Sequence, residues 1–252
     1  MSEHVTVERR DGVLAITMNR PERRNAITVA MYAALADAIE SAANDAALRL
    51  ITLEGAGEDF TGGNDLADFM AEMPSGDDIP VWRLLKALAA NPVPLVAAVH
   101  GNAVGIGTTM LFHCDLVLAE DGTRFIMPFV DLGLVPEAAS SLLMPRLAGR
   151  RRAARYVLLG EPFGVEEASE FGLISHRVAK GGLKDALAML VDQLLAKPPE
   201  ALRLTQRLLR SEDRAEILER MELENSHFAE RLRSDEVRQA ITAFFEKRAV
   251  KS

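Results

Sequence analysis

The sequence predicts an α/β core followed by a helical C-terminal region. Segments with strand and helix periodicity alternate up to about residue 180, and almost every later segment has helical periodicity. The chain has 252 residues, 48% of them hydrophobic, which is enough to bury one large core and a smaller appendage. We therefore predict a core over residues 1–196 that carries binding and catalysis, and a helical region over 197–252 that carries oligomerisation.

The first elements are a hairpin, a helix and a buried strand. In HVTVERRDGVLAITMN, apolar residues alternate with polar ones on both sides of Asp11 and Gly12, which is typical of two strands joined by a tight turn. Over residues 28–47, apolar residues recur three or four positions apart, so this segment predicts an amphipathic helix. LRLITLEG, residues 48–55, then predicts a buried strand.

The same alternation continues through the middle of the chain. A helix is expected over residues 80–90, strands in PVPLVAAVHG, CDLVLAE and TRFIMP, and a short glycine-led helix near 105–113. Helices follow from residue 137 onward. In the C-terminal region, PPEALRLTQRLL predicts a helix that starts at a proline, and SDEVRQAITAFFEKR predicts a last helix with Ser234 as its N-cap.

Composition excludes several classes of function. The net charge of -8 argues against non-specific nucleic-acid binding, and the one dense basic run, GRRRAAR, is interpreted as a solvated helix face. Cys114 is the only cysteine, so no internal disulfide forms, and the histidines show no metal-ligand spacing. The N-terminal segment lacks the apolar stretch of a signal peptide, and the apolar runs are too short for a membrane span. We expect a cytoplasmic protein without a metal.

Two glycine-rich turns indicate a site for an oxygen anion. GEDFTGGNDL (57–66) and VHGNAVGIGTTM (99–110) each follow a predicted strand and lead into a helix. Backbone N–H groups at such points are free to donate to an anion. Either turn alone is equally consistent with a tight strand-to-helix connection.

LGLVPEAASSLLMP, residues 132–145, carries one carboxylate, Glu137, among apolar and small residues. One interpretation is the start of a helix, because Pro136 suits the first turn and a carboxylate there faces the positive end of the helix dipole. The other is a general base, because burial would raise the pKa of the carboxyl toward a useful range. The segment alone favours the helix start.

Six segments, in this order, resemble the crotonase, or enoyl-CoA hydratase/isomerase, superfamily from the first strands to the final helix: NRPERRNAI, FTGGNDL, PLVAAVHGNAVGIG, CDLVLAEDGTRFIMP, LGLVPEAASS and EASEFGLISHRV. The resemblance implies a spiral of repeated strand-strand-helix units. It also implies that the C-terminal helices build a homotrimer or a dimer of trimers.

The resemblance further implies an acyl-CoA thioester substrate and an oxyanion hole made by the backbone N–H groups of Asn64 and Ile106. Gly63, Gly105 and Gly107 would let the backbone approach the ligand. Further residues are implied as contacts for the CoA moiety, the last two from the final helix: Arg24, Ala26, Asp65, Leu66, Phe244 and Lys247.

Hydratases of this family use two glutamates to activate water, and the matching positions here hold Thr109 and Phe129. Neither side chain acts as a carboxylate does, so we expect a poor hydratase. Within the family, the chain resembles the peroxisome-type Δ3,Δ2-enoyl-CoA isomerases, which combine GNDL in the first turn with a PE step. In that branch a single carboxylate moves the proton, and Glu137 is the matching residue.

The expected function is therefore the shift of a 3-enoyl-CoA double bond to the 2 position in fatty acid metabolism, with no cofactor beyond the CoA that the substrate carries. Two alternatives are open. One is another reaction of the family, such as ring-epoxide isomerisation or thioester hydrolysis. The other is an acyl-CoA-binding protein without catalytic activity.

Overall fold

The computed structural model describes residues 2–43, 45–71, 79–211 and 214–249. The strands are β1 (Val5–Arg10), β2 (Val13–Met18), β3 (Leu50–Gly55), β4 (Leu95–Val99), β5 (Asn102–Val104), β6 (Leu116–Glu120), β7 (Arg124–Ile126), β8 (Phe163–Gly164) and β9 (His176–Val178). The α-helices are α1 (Val29–Ala43), α2 (Leu66–Ala71), α3 (Pro80–Ala90), α4 (Ile106–Thr109), α5 (Ser140–Ala148), α6 (Arg150–Leu158), α7 (Val165–Glu170), α8 (Leu183–Leu195), α9 (Pro199–Ser211), α10 (Arg214–Leu232) and α11 (Asp235–Ala249).

The larger sheet has the strand order β1-β2-β3-β4-β6-β9, with β1 and β2 antiparallel and the following pairs parallel. Asp11 and Gly12 join β1 to β2 with φ angles of 50° and 82°. Two consecutive positive φ angles are what a two-residue hairpin turn of matching twist requires. The predicted hairpin is confirmed.

A smaller sheet has the order β5-β7-β8. The chain places β4 in the larger sheet and β5 in the smaller one, then runs through α4, and it repeats this with β6 and β7 before α5. These are the repeated strand-strand-helix units that were predicted. Because β3 and β4 are parallel neighbours, the turns that follow them leave the same edge of the sheet.

Both faces of the larger sheet are covered. The main core lies on the face of α1 and α3, while Val96, Ala98 and Leu118 on the other face pack under Leu187 and Leu190 of α8. This double coverage explains why β4, with the sequence LVAAV, is apolar and buried throughout.

The start of α5 differs from the prediction. Ala138 and Ala139 adopt left-handed φ angles of 61° and 55°, and α5 begins only at Ser140. Glu137 therefore precedes a tight turn and lies outside the first turn of the helix. The helix-start interpretation of Glu137 is wrong, because two left-handed residues cannot belong to a right-handed helix.

The C-terminal helices follow the prediction closely. Helix α9 starts at Pro199, and the Ser234 hydroxyl accepts a hydrogen bond of 3.3 Å from the Val237 N–H at the start of α11. Helix α10 packs against α3 and α5, so it reaches back onto the core. Among the described helices, none is both long and apolar enough to cross a membrane.

Candidate active site

The first glycine turn follows β3 and is shaped by Gly63. Its φ angle is 86°, and a Cβ atom at this position would lie 2.8 Å from the Val104 carbonyl oxygen. The Gly63 N–H donates to the Thr61 hydroxyl at 3.1 Å, which fixes the turn from within. A side chain at position 63 would thus push the first turn away from the second.

The second glycine turn follows β4 and contacts the first directly. Gly105 has a φ angle of 56°, and a Cβ atom on Gly107 would lie only 2.4 Å from the Thr61 methyl carbon. Thr61 also pairs with Ala103 in a short parallel bridge. The structure therefore brings together the two turns that the sequence singled out.

Each turn presents a backbone N–H that lacks an acceptor. The Ile27 N–H donates to the Gly63 carbonyl at 2.8 Å, and the Ile27 carbonyl accepts from the Asp65 N–H at 2.9 Å. Asn64 lies between Gly63 and Asp65 in the chain, and its N–H takes part in neither bond. Ile106 is the first residue of α4, where no carbonyl is available within the helix. Within the described ranges, neither N–H has a protein partner. These are the two donors predicted for the oxyanion hole.

Asn25 holds the first turn in place, although sequence reasoning did not single it out. Its side chain is fully buried, and its amide nitrogen donates to the carbonyls of Ala56 at 2.7 Å and Asp59 at 2.8 Å. Its amide oxygen accepts from the Arg20 N–H. The signal was present in the motif NRPERRNAI, but a single sequence does not reveal which residue of that motif is structural.

Glu137 is buried, with 5% of its surface exposed. Burial, and secondly the charge of Glu224, raise the pKa of its carboxyl to about 8. Its Oε1 atom has no hydrogen-bond partner in the part of the chain that is described. A buried carboxyl with an unpartnered oxygen and a pKa raised to about 8 has the properties of a general base.

Glu137 faces a cavity of about 70 Å³. Its wall is mostly apolar and comes from α3, the 137–138 segment and α10: Ile79, Val81, Trp82, Leu85, Glu137, Ala138, Met221, Glu224, Asn225, Phe228, Ala229 and Leu232. Trp82 and Leu85 of α3 supply large apolar surfaces to this wall. The C-terminal helix α10 thus forms part of the same cavity as the candidate base.

Tyr32 binds the first glycine turn and lies within the electrostatic reach of the candidate base. It is 1% exposed, and its hydroxyl donates to the side-chain oxygen of Asn64. Burial, and secondly the charge of Glu137, raise the pKa of the phenol. Glu137 therefore lies close enough to act electrostatically on a group that binds Asn64. Nothing in the sequence pattern distinguished Tyr32 from the other core residues of α1.

The two positions that carry glutamates in hydratases are buried and uncharged. Thr109 has no exposed surface and Phe129 only 5%. The Thr109 hydroxyl donates to the Ile106 carbonyl of the same helix, α4, at 3.5 Å. These positions supply no carboxylate to the site.

Four of the residues predicted to contact CoA, namely Arg24, Ala26, Asp65 and Leu66, lie in or beside the first turn. The Arg24 side chain is 74% exposed and pairs with Asp59 at 3.7 Å, while the carbonyl of Ala26 accepts from Arg20 at 3.1 Å. Leu66 begins α2. Phe244 and Lys247 lie on α11, but their side chains are outside the part that the structure describes.

The Asp65 carboxylate is already occupied by protein groups. It pairs with the Arg20 guanidinium at 2.7 Å and accepts from the N–H groups of Ala67 and Asp68. Burial tends to raise its pKa, but these partners outweigh burial and hold the pKa below its ordinary value. Three protein donors therefore already engage this carboxylate.

Comparisons with known proteins agree with this geometry. Residues 8–251 match the family model described as Enoyl-CoA hydratase/isomerase. The chain belongs to this family, the crotonase superfamily. Its relatives include 1,2-epoxyphenylacetyl-CoA isomerase of Escherichia coli, which is 34% identical over 99% of this chain and 98% of the relative. Enoyl-CoA delta isomerase 2 of Rattus norvegicus is 31% identical over 96% of this chain and 63% of the relative.

The fold is confirmed by solved structures of the family. The structure of OdaA from Pseudomonas aeruginosa has a TM-score of 0.93 and 39% identity, covering 96% of this chain and 99% of that one. An enoyl-CoA hydratase/isomerase from Pseudoalteromonas atlantica has a TM-score of 0.92 and 38% identity over 97% and 98%. The chain is thus an enzyme of the enoyl-CoA hydratase/isomerase family with a crotonase fold, and its relatives include the isomerase branch.

The buried carboxylate gives this crotonase a stability that depends on pH. Because the folded-state pKa of Glu137 is raised from 4.5 to about 8, folding favours the protonated form. This contribution is full below pH 4.5 and is lost as the pH rises toward 8. With about 1.4 kcal/mol per pKa unit, the effect amounts to a few kcal/mol.

Glutamine does not ionise, so we expect Glu137→Gln to be free of the stability loss that the wild type shows at high pH. The thermal midpoint of the variant should exceed that of the wild type at pH 9, and the difference should shrink toward pH 5. Calorimetry at both pH values measures this. Glu216→Gln, the same change at an exposed ion pair with Arg146, should follow the wild type. A constant difference between Glu137→Gln and the wild type over the whole range would contradict the assigned ionisation.

Proposed function

We propose that the protein is an isomerase that shifts the double bond of a 3-enoyl-CoA to the 2 position. The observation that carries the proposal is the state of Glu137: one buried carboxyl with a pKa of about 8, an oxygen without partners, and a cavity in front of it. Isomerisation needs one base that returns the proton it takes, whereas hydration uses two acids.

In the proposed reaction, the thioester oxygen lies between the N–H groups of Asn64 and Ile106. Glu137 takes a proton from C2, and the electron pair moves onto the thioester oxygen as a dienolate. Each of the two donors is worth roughly 3 kcal/mol if it behaves like other oxyanion-hole donors. Glu137 then returns the proton at C4, and the double bond is conjugated with the carbonyl. No cofactor is needed, because the substrate carries the CoA.

A second carboxylate, Glu224, lines the same cavity, but it is poorly suited to activate water. Its two oxygens accept hydrogen bonds from the N–H groups of Ala139 at 2.6 Å and Ser141 at 2.9 Å. A base for water needs a free oxygen directed at the ligand. Glu224 therefore does not replace the missing hydratase acids.

Isomerisation of a ring epoxide is the second candidate. A relative that is 34% identical over nearly its whole length is named 1,2-epoxyphenylacetyl-CoA isomerase. The same base and the same two donors would serve this reaction, since it too can begin with removal of a proton from C2. The aromatic Trp82 and Phe228 in the cavity wall are compatible with a flat ring.

A side-by-side assay separates these functions. Purified enzyme is incubated with a 3-enoyl-CoA, a 2-enoyl-CoA and 1,2-epoxyphenylacetyl-CoA, and the products are identified by mass spectrometry. Conversion of the 3-enoyl-CoA to a 2-enoyl-CoA of the same mass, with no water added across the double bond, supports the proposal. Faster turnover of the epoxide favours the second candidate, and rapid water addition to the 2-enoyl-CoA would refute both.

We also propose that the protein is a cytoplasmic enzyme of fatty acid metabolism and that it assembles as a homotrimer or a dimer of trimers. Helix α9 exposes large apolar side chains, and Leu209 is 79% exposed in a single chain. Such a face is expected to be covered in an assembly.

We therefore expect light scattering at micromolar concentration to give three or six times the chain mass of 27.5 kDa. Leu209→Lys should shift the distribution toward smaller species. Met189→Lys, at a residue on α8 that is 63% exposed, is the matched control and should not. A monodisperse wild-type monomer would contradict the proposed assembly.

A further inference from the structure

The backbone turn that carries Glu137 is strained. Ala138 and Ala139 are consecutive residues at positive φ, and neither is glycine. Such residues are energetically unfavourable, so the conformation persists only where its surroundings fix it. The position of the Glu137 carboxyl depends on whatever holds this turn.

Two buried side chains hold the turn, one at a carbonyl and one at two N–H groups. His113 is 4% exposed, and its Nε2 atom donates to the Ala138 carbonyl at 2.8 Å. Burial lowers the pKa of His113 to about 4, so the ring is neutral at physiological pH. Glu224 from α10 accepts from the N–H groups of Ala139 and Ser141.

Glu224 belongs to a row of polar residues on one face of α10. Glu216 pairs with Arg146 at 2.6 Å, and Arg220 donates to the Ser141 hydroxyl at 3.3 Å. Positions 216, 220 and 224 are four residues apart and so share a face of the helix. Only Glu224 is buried, at 5% exposed, and only Glu224 binds the turn itself.

We propose that Glu224 is a positioning residue: it binds the Ala138–Ala139 turn that aims Glu137 into the cavity, and it places a second negative charge beside that carboxyl. The inference rests on the proposed role of Glu137 as base. It assigns to α10 a part in the reaction, in addition to any part that this helix has in assembly.

The electrostatics of the pair support this assignment. Burial, and secondly the charge of Glu224, raise the pKa of Glu137. Burial also raises the pKa of Glu224, while its hydrogen bonds from Ser141 and Ala139 and the charge of Arg220 oppose that rise. Tyr32 faces the pair from α1 and His113 from the other side of the turn, and both are uncharged near neutral pH. Removing the charge of Glu224 should therefore lower the pKa of Glu137.

The test is a titration of the Glu137 carboxyl by NMR on protein labelled with ¹³C at the glutamate carboxyl carbons. The Glu137 signal is identified by its absence in Glu137→Gln. Glu224→Gln removes the charge and one acceptor, while Glu224→Asp keeps the charge and withdraws it from the turn. Glu216→Gln is the matched control, because it makes the same change on the same face of α10, eight residues before Glu224.

We expect the Glu137 titration to move to lower pH by roughly one unit in Glu224→Gln and to stay raised in Glu224→Asp. Both variants should lose kcat on the proposed substrate, by roughly 10- to 100-fold, because the base is displaced. Glu216→Gln should change neither quantity. An unmoved titration in Glu224→Gln would overturn the proposal, as would unchanged kcat in Glu224→Asp, which serves as the test if the glutamine variant does not fold.

The titration uses no substrate, so the two proposals fail separately. A shifted titration in an enzyme that does not turn over a 3-enoyl-CoA would refute the proposed reaction and support the assignment of Glu224. Normal isomerase activity with an unmoved titration would do the opposite.

Discussion

Glu137→Gln is expected to lower kcat on a 3-enoyl-CoA by roughly 10² to 10⁴, the range typical of a lost general base. Glutamine keeps the size of the side chain but cannot take a proton. Affinity for a saturated acyl-CoA should change little, because the oxyanion donors and the cavity remain. Steady-state kinetics and a dissociation constant measured by calorimetry give the two quantities.

Loss of folding cannot explain such a result. The carboxyl is destabilising when it ionises, so Glu137→Gln should be at least as stable as the wild type above pH 8. Glu216→Gln supplies the control for a generic loss of a glutamate. Undiminished kcat in Glu137→Gln would eliminate Glu137 as the base and leave the binding function without a catalytic residue.

Ile106→Pro should reduce kcat by roughly 10² to 10³, the loss associated with one oxyanion-hole donor. Proline removes the backbone N–H, which is the only group of Ile106 that the reaction is proposed to use. The site favours this experiment, because Ile106 is the first residue of α4, where proline is well tolerated, and the residue before it is a glycine.

Ile106→Val is the matched control, since it removes one methylene from the same buried position and keeps the N–H. It should retain nearly full activity. Thermal midpoints of both variants verify that they fold. If the proline and valine variants had equal kcat, the Ile106 amide would have no part in stabilising the enolate.

Much of the fold could be predicted because it follows from periodicity. The spacing of apolar residues predicted the hairpin at Asp11 and Gly12, helix α3 and the buried strand β4. The misplaced start of α5 had a different cause. No local signal in Pro136 and Glu137 announces two left-handed alanines, because that turn is fixed by contacts from His113 and α10.

The candidate site divides in the same way. Gly63 and Gly105 were predictable, because tight turns leave marks in a short segment. Glu137 was singled out as a base only through the resemblance to the family, because its own segment favoured a helix start. Tyr32 and Glu224 were not, since each looks like an ordinary member of an amphipathic helix. Their roles come from tertiary contacts: Tyr32 binds a residue 32 positions away in the chain, and Glu224 binds one 85 positions away. The pattern of a single helix does not contain such contacts.

The participation of α10 in the cavity gives this enzyme two separately adjustable parts. The oxyanion turns are packed backbone against backbone, and Gly107 lacks room even for one methyl group, so changes there disturb the donors themselves. Met221 and Phe228 approach the cavity as side chains from a helix far away in sequence. If the proposed reaction holds, substitutions along α10 should change which acyl groups are accepted without altering the backbone donors of Asn64 and Ile106.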